Sequence, residues 1–333
     1  MTRYALLLAP SANRVYADAA LRLTQAELAI FGGSVLSDRP ADVAELRLGG
    51  VRYLGFTAEL TGADLGYLAN LSSIYALFER VGDDLLRPLE LHPLDRYDDD
   101  LLTIPKYAGK TNEQFTKLLL NAAVLASDSG PAMLDGRLTV LDPLCGRGTT
   151  LNQALMYGYD GIGIELDGKD LDSYAAFLRT WLKRKRLKHH TELNPVRRDR
   201  RLVARRFEAT IGGSQRLTVF HADTTEAREF LRAGCADVLV ADAPYGVAHG
   251  APGSAGRSRG LRDLLHAAVP VWAQLLRPGG ALALAWNTYN ADRAEVAAIL
   301  AGSGLSVFDG PGYPDLEHRV DQAIIRDVLV ARK

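Results

Sequence analysis

Nine consecutive residues, Asp142-Pro143-Leu144-Cys145-Gly146-Arg147-Gly148-Thr149-Thr150, set two glycines and several oxygen-bearing side chains between an apolar run and a helical stretch. Glycines at 146 and 148 let a backbone turn tightly and approach a ligand with no Cβ in the way. Such a turn can cradle phosphates at a helix start. The phosphate fingerprints are missing, however: there is no G-x-x-x-x-G-K-[ST], and the third glycine of the dinucleotide pattern is absent. Three more acids close or follow short apolar runs. Glu165 ends Gly161-Ile162-Gly163-Ile164-Glu165, Asp223 follows His221-Ala222, and Asp242 precedes Ala243-Pro244-Tyr245-Gly246. Any one of them alone would cap a helix as readily as hold a ligand. Four at matching positions point to one mouth, because ligand crevices of open α/β sheets lie at the carboxyl ends of the strands.

The elements that must position these residues are the apolar runs 138–142, 161–165, 217–220, 237–242 and 280–286, separated by helical stretches. They read as buried parallel strands of a doubly wound α/β sheet. Roughly 50 residues separate the second run from the third, where a crossover needs about a dozen. An insertion at about 183–212 is implied. It holds Lys183, Arg184, Lys185, Arg186, Lys188, Arg197, Arg198, Arg200, Arg201, Arg205 and Arg206 against Glu192 and Asp199, a local charge of +9 in a chain of net charge −1. Three readings stand: phosphate contacts with a nucleic acid, a solvated helix face and charged hairpin, or a lid over the pocket. Arg257 and Arg259, in the Gly- and Ser-rich stretch 250–260, fit a substrate loop.

Residues 1–95 read as a small α+β domain: a strand at 4–9, a helix at 17–30 stopped by Gly32-Gly33, a strand at 51–56 and a helix at 64–79. Ferredoxin-like is a candidate topology, and substrate binding or dimerisation are candidate roles. The stretch 91–100, with Pro93 and four aspartates, reads as a polar linker, so the larger domain spans 96–333. Hydrophobic residues at 47% and charged residues at 24% exclude a disordered or fibrous chain. Two cysteines, Cys145 and Cys235, supply neither a disulfide framework nor a metal site, and no metal is expected. The chain has no apolar run long enough for a signal core or a span, so the reducing cytoplasm is the expected compartment.

The nonamer resembles motif I of class I S-adenosylmethionine-dependent methyltransferases, in the D-P-x-C-G-x-G-T form of amino-methyltransferases acting on nucleobases. The resemblance implies a seven-stranded Rossmann-like sheet and S-adenosylmethionine as cofactor. Asp142, Leu144, Cys145, Gly146, Gly148, Thr149 and Thr150 would form its cradle. Glu165, with Leu166 beside it, matches the ribose-binding acid, and Asp223, with Thr224, matches the acceptor for the adenine amine. Asp242-Ala243-Pro244-Tyr245 resembles the [DNS]-P-P-[YFW] motif, with Ala243 where the family usually has its first proline. There Asp242 and the Ala243 carbonyl would orient a planar amine, Pro244 would set the turn and Tyr245 would stack on the base. Lys110, Thr111 and Asn112, before a helical stretch at 114–126, resemble the cofactor segment called motif X, or merely cap that helix. The stretch 322–331 fits the reversed last strand.

Among these families the chain is similar to the THUMP-associated tRNA guanine N2-methyltransferases and related RNA or DNA methylases, although its first 95 residues are too few to hold a THUMP domain as well. The expected function is N-methylation of an exocyclic amine of a nucleobase in RNA, with tRNA foremost. The partner would be RNA more than DNA, through Lys183, Arg184, Arg186, Arg197, Arg198, Arg201, Arg257 and Arg259. A small-molecule or peptide N-methyltransferase, a DNA base methyltransferase and a non-catalytic nucleic-acid binder are the alternatives.

Overall fold

The computed structural model describes residues 1–11, 14–83, 85–107, 109–243, 260–321 and 324–333. Its amino-terminal part runs β1 (Thr2–Leu8), α1 (Arg14–Ser34), β2 (Ala41–Leu48), β3 (Val51–Ala58), α2 (Gly62–Leu68), β4 (Ile74–Val81) and β5 (Leu85–Leu89). These strands form one sheet in the order β2-β3-β1-β4-β5, and every pair is antiparallel. Two βαβ crossovers interleaved in this way make the split βαβ arrangement, here with one added edge strand.

Two sequence expectations fail in this part. The helix does not stop at Gly32-Gly33 but continues to Ser34. Gly32 serves close packing instead, since a Cβ there would lie 2.8 Å from Cδ of Pro40. The expected helix at 64–79 is a two-turn helix followed by β4. Thr61 caps α2 in a reciprocal capping box with Asp64. Beyond it, Ser72 is drawn to the carboxylate of Glu27 on α1, and the chain leaves the helix for the sheet.

The rest of the chain runs α3 (Asp100–Thr103), α4 (Glu113–Ala126), β6 (Thr139–Asp142), α5 (Thr149–Met156), β7 (Asp160–Glu165), α6 (Gly168–Arg184), β8 (His189–Arg198), β9 (Arg201–Ile211), β10 (Gln215–His221), β11 (Ala236–Asp242), α7 (Leu261–Leu275), β12 (Leu276–Asn287), α8 (Arg293–Gly302), β13 (Ser306–Val307), β14 (His318–Arg319) and β15 (Ile325–Arg332). The sheet order is β13-β15-β12-β11-β6-β7-β10-β9-β8, with β14 paired to β15. β6, β7, β10, β11 and β12 are mutually parallel, and β15 enters antiparallel between β12 and β13. The insertion is therefore a hairpin, β8 and β9, that extends the sheet antiparallel at the β10 edge.

The two parts share a core. Leu23, Leu28 and Phe31 of α1 join one cluster with Leu118, Leu119 and Leu125 of α4 and Val240, Ala283 and Val330 of the large sheet. A helix held between another helix and a sheet is buried nearly all round, and α4 is. The stretch around residue 95 is tied down as well: Arg96 N donates to Met156 O at 2.9 Å, and Tyr97 Oη donates to Gln215 Oε1 at 2.6 Å. Among the described residues no helix is long and apolar enough to cross a membrane.

Candidate active site

Five parallel strands deliver their carboxyl ends to one edge, and Asp142 ends the central one. It is 4% exposed, and its Oδ1 accepts from Leu144 N at 3.0 Å. Burial, with Asp242 and Glu165 adding like charge, pushes its carboxyl up to about 7, against the Leu144 and Thr150 donors. The chain then turns through Gly146 at φ +50° and Gly148 at φ +81°. A Cβ on Gly148 would strike the Tyr174 ring at 2.5 Å, whereas one on Gly146 would meet nothing within 4 Å. The second glycine therefore faces packed protein and the first faces open space. Cys145 N donates to Ile164 O at 3.0 Å, which straps the turn to β7. Its thiol is buried and pushed up by that burial, the opposite of an activated nucleophile.

Glu165 closes β7 beside this turn. Its Oε2 accepts from Gly146 N at 2.8 Å and its Oε1 from Asp167 N at 2.7 Å. A carboxylate has about four acceptor sites, so capacity for two hydroxyls remains. Leu166, next to it, is 69% exposed and offers an apolar surface at the mouth. Asp223 caps the 3-10 turn Thr224–Glu229, where its Oδ1 accepts from Thr225 N at 2.8 Å and Thr225 Oγ1 at 2.7 Å. Thr224 faces inward and accepts from Trp272 Nε1 at 2.8 Å. Thr149 shares a 2.8 Å hydrogen bond with the Tyr107 hydroxyl, and Arg147 stands over the Tyr107 ring at 5.1 Å.

Asp242 ends β11, the strand beside β6. Thr111 Oγ1 donates to its Oδ2, and Arg326 Nη2 lies 3.7 Å from the same oxygen. Ala243 N donates to Ala285 O at 2.8 Å, so pairing with β12 continues one residue beyond Asp242. Pro244, Tyr245, Arg257 and Arg259 lie outside the described residues. Of the 110–112 trio, Asn112 caps α4, accepting from Phe115 N at 3.0 Å, and Lys110 pairs with Glu113. Only Thr111 reaches Asp242.

Sequence reasoning missed Arg326. Its side chain, 4% exposed, comes from β15 and lies 4.1 Å over the Phe115 ring. Beside Phe115, at 5.0 Å between ring centroids, is His318, whose imidazole burial pushes down to about 4. The one signal available was a charged residue in an apolar strand.

The basic residues of the insertion separate. Lys183, Arg184 and Arg186 stand where α6 has returned to the amino ends of the strands, with Lys185 held by Asp98 and Asp100. Arg197, Arg198 and Arg201 stand at the opposite end, at the hairpin tip.

Counting β6, β7, β10, β11, β12, β13 and β15 as one to seven, the order is 6-7-5-4-1-2-3 with only the seventh reversed. A Gly-rich turn follows the first strand. This is the Rossmann-like class I methyltransferase fold. Solved structures similar to the chain include TrmN from Thermus thermophilus, at 18% identity over 86% of this chain with a TM-score of 0.42; the chain spans 57% of that protein's length. Others are precorrin-6y C5,15-methyltransferase from Geobacter metallireducens, at 12% identity over 72% of this chain and 98% of that one, TM-score 0.39, and geranyl diphosphate methyltransferase in complex with sinefungin, at 12% over 60% and 75%, TM-score 0.35. No family model and no curated protein sequence matches the chain.

Proposed function

We propose that the protein is an N-methyltransferase that moves a methyl group from S-adenosylmethionine to an exocyclic amine of a base in RNA, with tRNA the first candidate. The residues at the mouth fit the cofactor: open space over Gly146, acceptor capacity on Glu165, exposed Leu166 and a buried carboxylate at Asp142. When bound, it supplies an electrophilic methyl sulfonium. An amine conjugated with a ring is a poor nucleophile, so positioning and charge stabilisation must carry the reaction. Asp242 accepts an N–H of that amine and opposes the positive charge that develops on nitrogen. Thr111 and Arg326 hold one oxygen of Asp242, which fixes the direction in which the carboxylate accepts.

The observation that carries this reading is the placement of Asp242, at the carboxyl edge one strand from Asp142, with a hydroxyl and a buried guanidinium set against it. Incubation with methyl-labelled S-adenosylmethionine and a demethylated cell extract, beside Asp242→Ala, tests it. Asp242-dependent label released by RNase and not by DNase is the expected result. Label that passes a small-molecule filter without nuclease overturns the RNA reading.

A further inference from the structure

The hairpin turns on Asp199 and Arg200 at φ +48° and +64°. A two-residue hairpin turn with φ positive at both central positions favours Asp-Gly or Asn-Gly, so arginine at the second position is conformationally costly where glycine is not. Nothing in the turn itself calls for arginine at 200, so replacing it by glycine probes the side chain without straining the backbone.

Register says where that side chain is carried. The last pair between β10 and β9 is His221 with Arg205, so Arg201 to Ala204 continue beyond the carboxyl end of β10, by ~13 Å at strand rise. The tip thus overhangs the same edge as Asp142, Glu165 and Asp242. It is moored there by Arg198 to Glu229 at 3.0 Å and Arg205 to Asp172 at 2.7 Å. Arg200 and Arg201 make no ion pair with any described residue, and Arg197 only approaches Arg200 O at 3.4 Å. Between the tip and the Thr224–Glu229 turn lies a cleft of about 280 Å³, with Arg201 and Leu202 on one wall and Arg228 and Glu229 on the other. From β9 to β11 is four strand spacings, ~19 Å, too far for these arginines to touch the group at Asp242.

We propose that the overhanging tip, Arg197, Arg200 and Arg201, grips the sugar-phosphate backbone of the substrate strand several nucleotides from the methylated base. This rests on the nucleic-acid reading above and deepens it: the substrate is a strand long enough to reach from Asp242 to the tip. The cluster at Lys183, Arg184 and Lys188 faces the other end of the sheet and takes no part.

The test measures binding of fluorescein-labelled 12-nucleotide single strands, RNA and DNA of one sequence, by anisotropy across salt concentrations. Arg197→Gln/Arg200→Gly/Arg201→Gln is compared with the charge-matched Lys183→Gln/Arg184→Gln/Lys188→Gln. The expected result is an affinity loss of about tenfold or more for the tip variant and a salt slope shallower by about 2, with the control within about twofold of wild type. Arg200→Gly alone should weaken binding about fivefold while leaving Tm equal or higher, because glycine suits the turn.

A stronger effect on RNA or on DNA identifies the backbone gripped. Equal losses in tip variant and control, or none in the tip variant, overturn the proposal. So does a tip variant that binds normally but associates in size exclusion, which would assign the charges to keeping the edge strand β8 from pairing. A wild type that binds neither oligonucleotide overturns it too. The Asp242-dependent label then judges the substrate reading on its own: RNA label with an indifferent tip leaves that reading standing.

Discussion

Glu27 and Asp142 are both buried carboxyls, and burial pushes both upward, yet their surroundings differ. Glu27 lies at the seam between the two sheets. Its oxygens accept from Ser72 N at 2.9 Å, Ser72 Oγ at 2.6 Å and Asn121 Nδ2 at 2.8 Å. Asn121 also donates to Asn70 O at 2.8 Å and accepts from Tyr157 Oη at 2.9 Å, so the network crosses from α1 and the α2–β4 connection to α4 and the end of α5. Asp142 has Leu144 N and Thr150 and faces two further carboxylates. At the seam polar groups satisfy one another; in the crevice charge is left for something that arrives. A satisfied buried network specifies a packing, and an under-compensated site is what a ligand completes.

This contrast makes opposite demands on the two regions. Asp242→Ala should lower the methyl-transfer rate about 10²- to 10³-fold, the scale of removing a preorganised electrostatic group, and Asp242→Asn, which keeps an acceptor oxygen for Thr111 and Arg326, should lower the rate with Tm nearly unchanged. Initial rates with labelled cofactor and a thermal melt of the same sample check both halves. Asn121→Ala should do the reverse. It leaves Glu27, Asn70 O and Tyr157 Oη short of partners in the interior and should cost about 2–3 kcal/mol. That loss is read as a lower urea midpoint, with kcat of the folded protein unchanged. A seam variant that loses activity before stability would break the comparison.

Arg326→Gln sits between the two regions, since its guanidinium packs on Phe115 of the shared helix α4 while it faces Asp242. The expected effect is a kcat fall of about tenfold, corresponding to ~1.4 kcal/mol, with KM nearly constant. Arg326→Lys should recover part of it by keeping the charge. A change confined to Tm would move Arg326 to the structural side of the comparison.

The acids of the crevice were legible because a doubly wound sheet must present strand ends on one edge, and each acid ends or follows its own apolar run. Arg326 was not, because it comes from β15, far along the chain, and only the antiparallel entry of that strand beside β12 brings it under Asp242. A charged hairpin was one of the three readings of the insertion, but its two strands were not delimited, because Pro195 and alternating arginines at an exposed edge obscure the period of two that marks a strand. The false helix has a definite cause. Leu65, Leu68, Leu71, Ile74 and Leu77 recur every three residues and imitate a helical face. The helix ends in a tightened turn, where Asn70 N and Leu71 N donate to Tyr67 O and Leu68 O, and the carboxylate of Glu27, from another element, then takes the Ser72 N–H. No local pattern contains that partner.

Asp142 gives the smallest effect and separates the regions by proton. Its folded pKa of about 7 lies above the ~3.9 of an unfolded aspartate. The stability it contributes is therefore present below about pH 4 and is lost as pH rises through about 7. His318 acts with the other sign: with its pKa pushed down to about 4, its contribution is present above ~6.5 and is lost as pH falls through 4. Asp142→Asn should therefore raise Tm at pH 8 and leave the acid-side loss in place. A cationic ligand selects the ionised carboxylate, so binding of S-adenosylmethionine should release a proton and tighten by at most about tenfold per pH unit up to about 7, then level off. Calorimetry in buffers of different ionisation enthalpy reads that proton directly. A flat affinity between pH 6 and 8 in the wild type would mean that Asp142 keeps one protonation state through binding, so that its raised pKa is not what the cofactor's charge relieves. The contrast with the seam would then rest on Glu165 and Asp242.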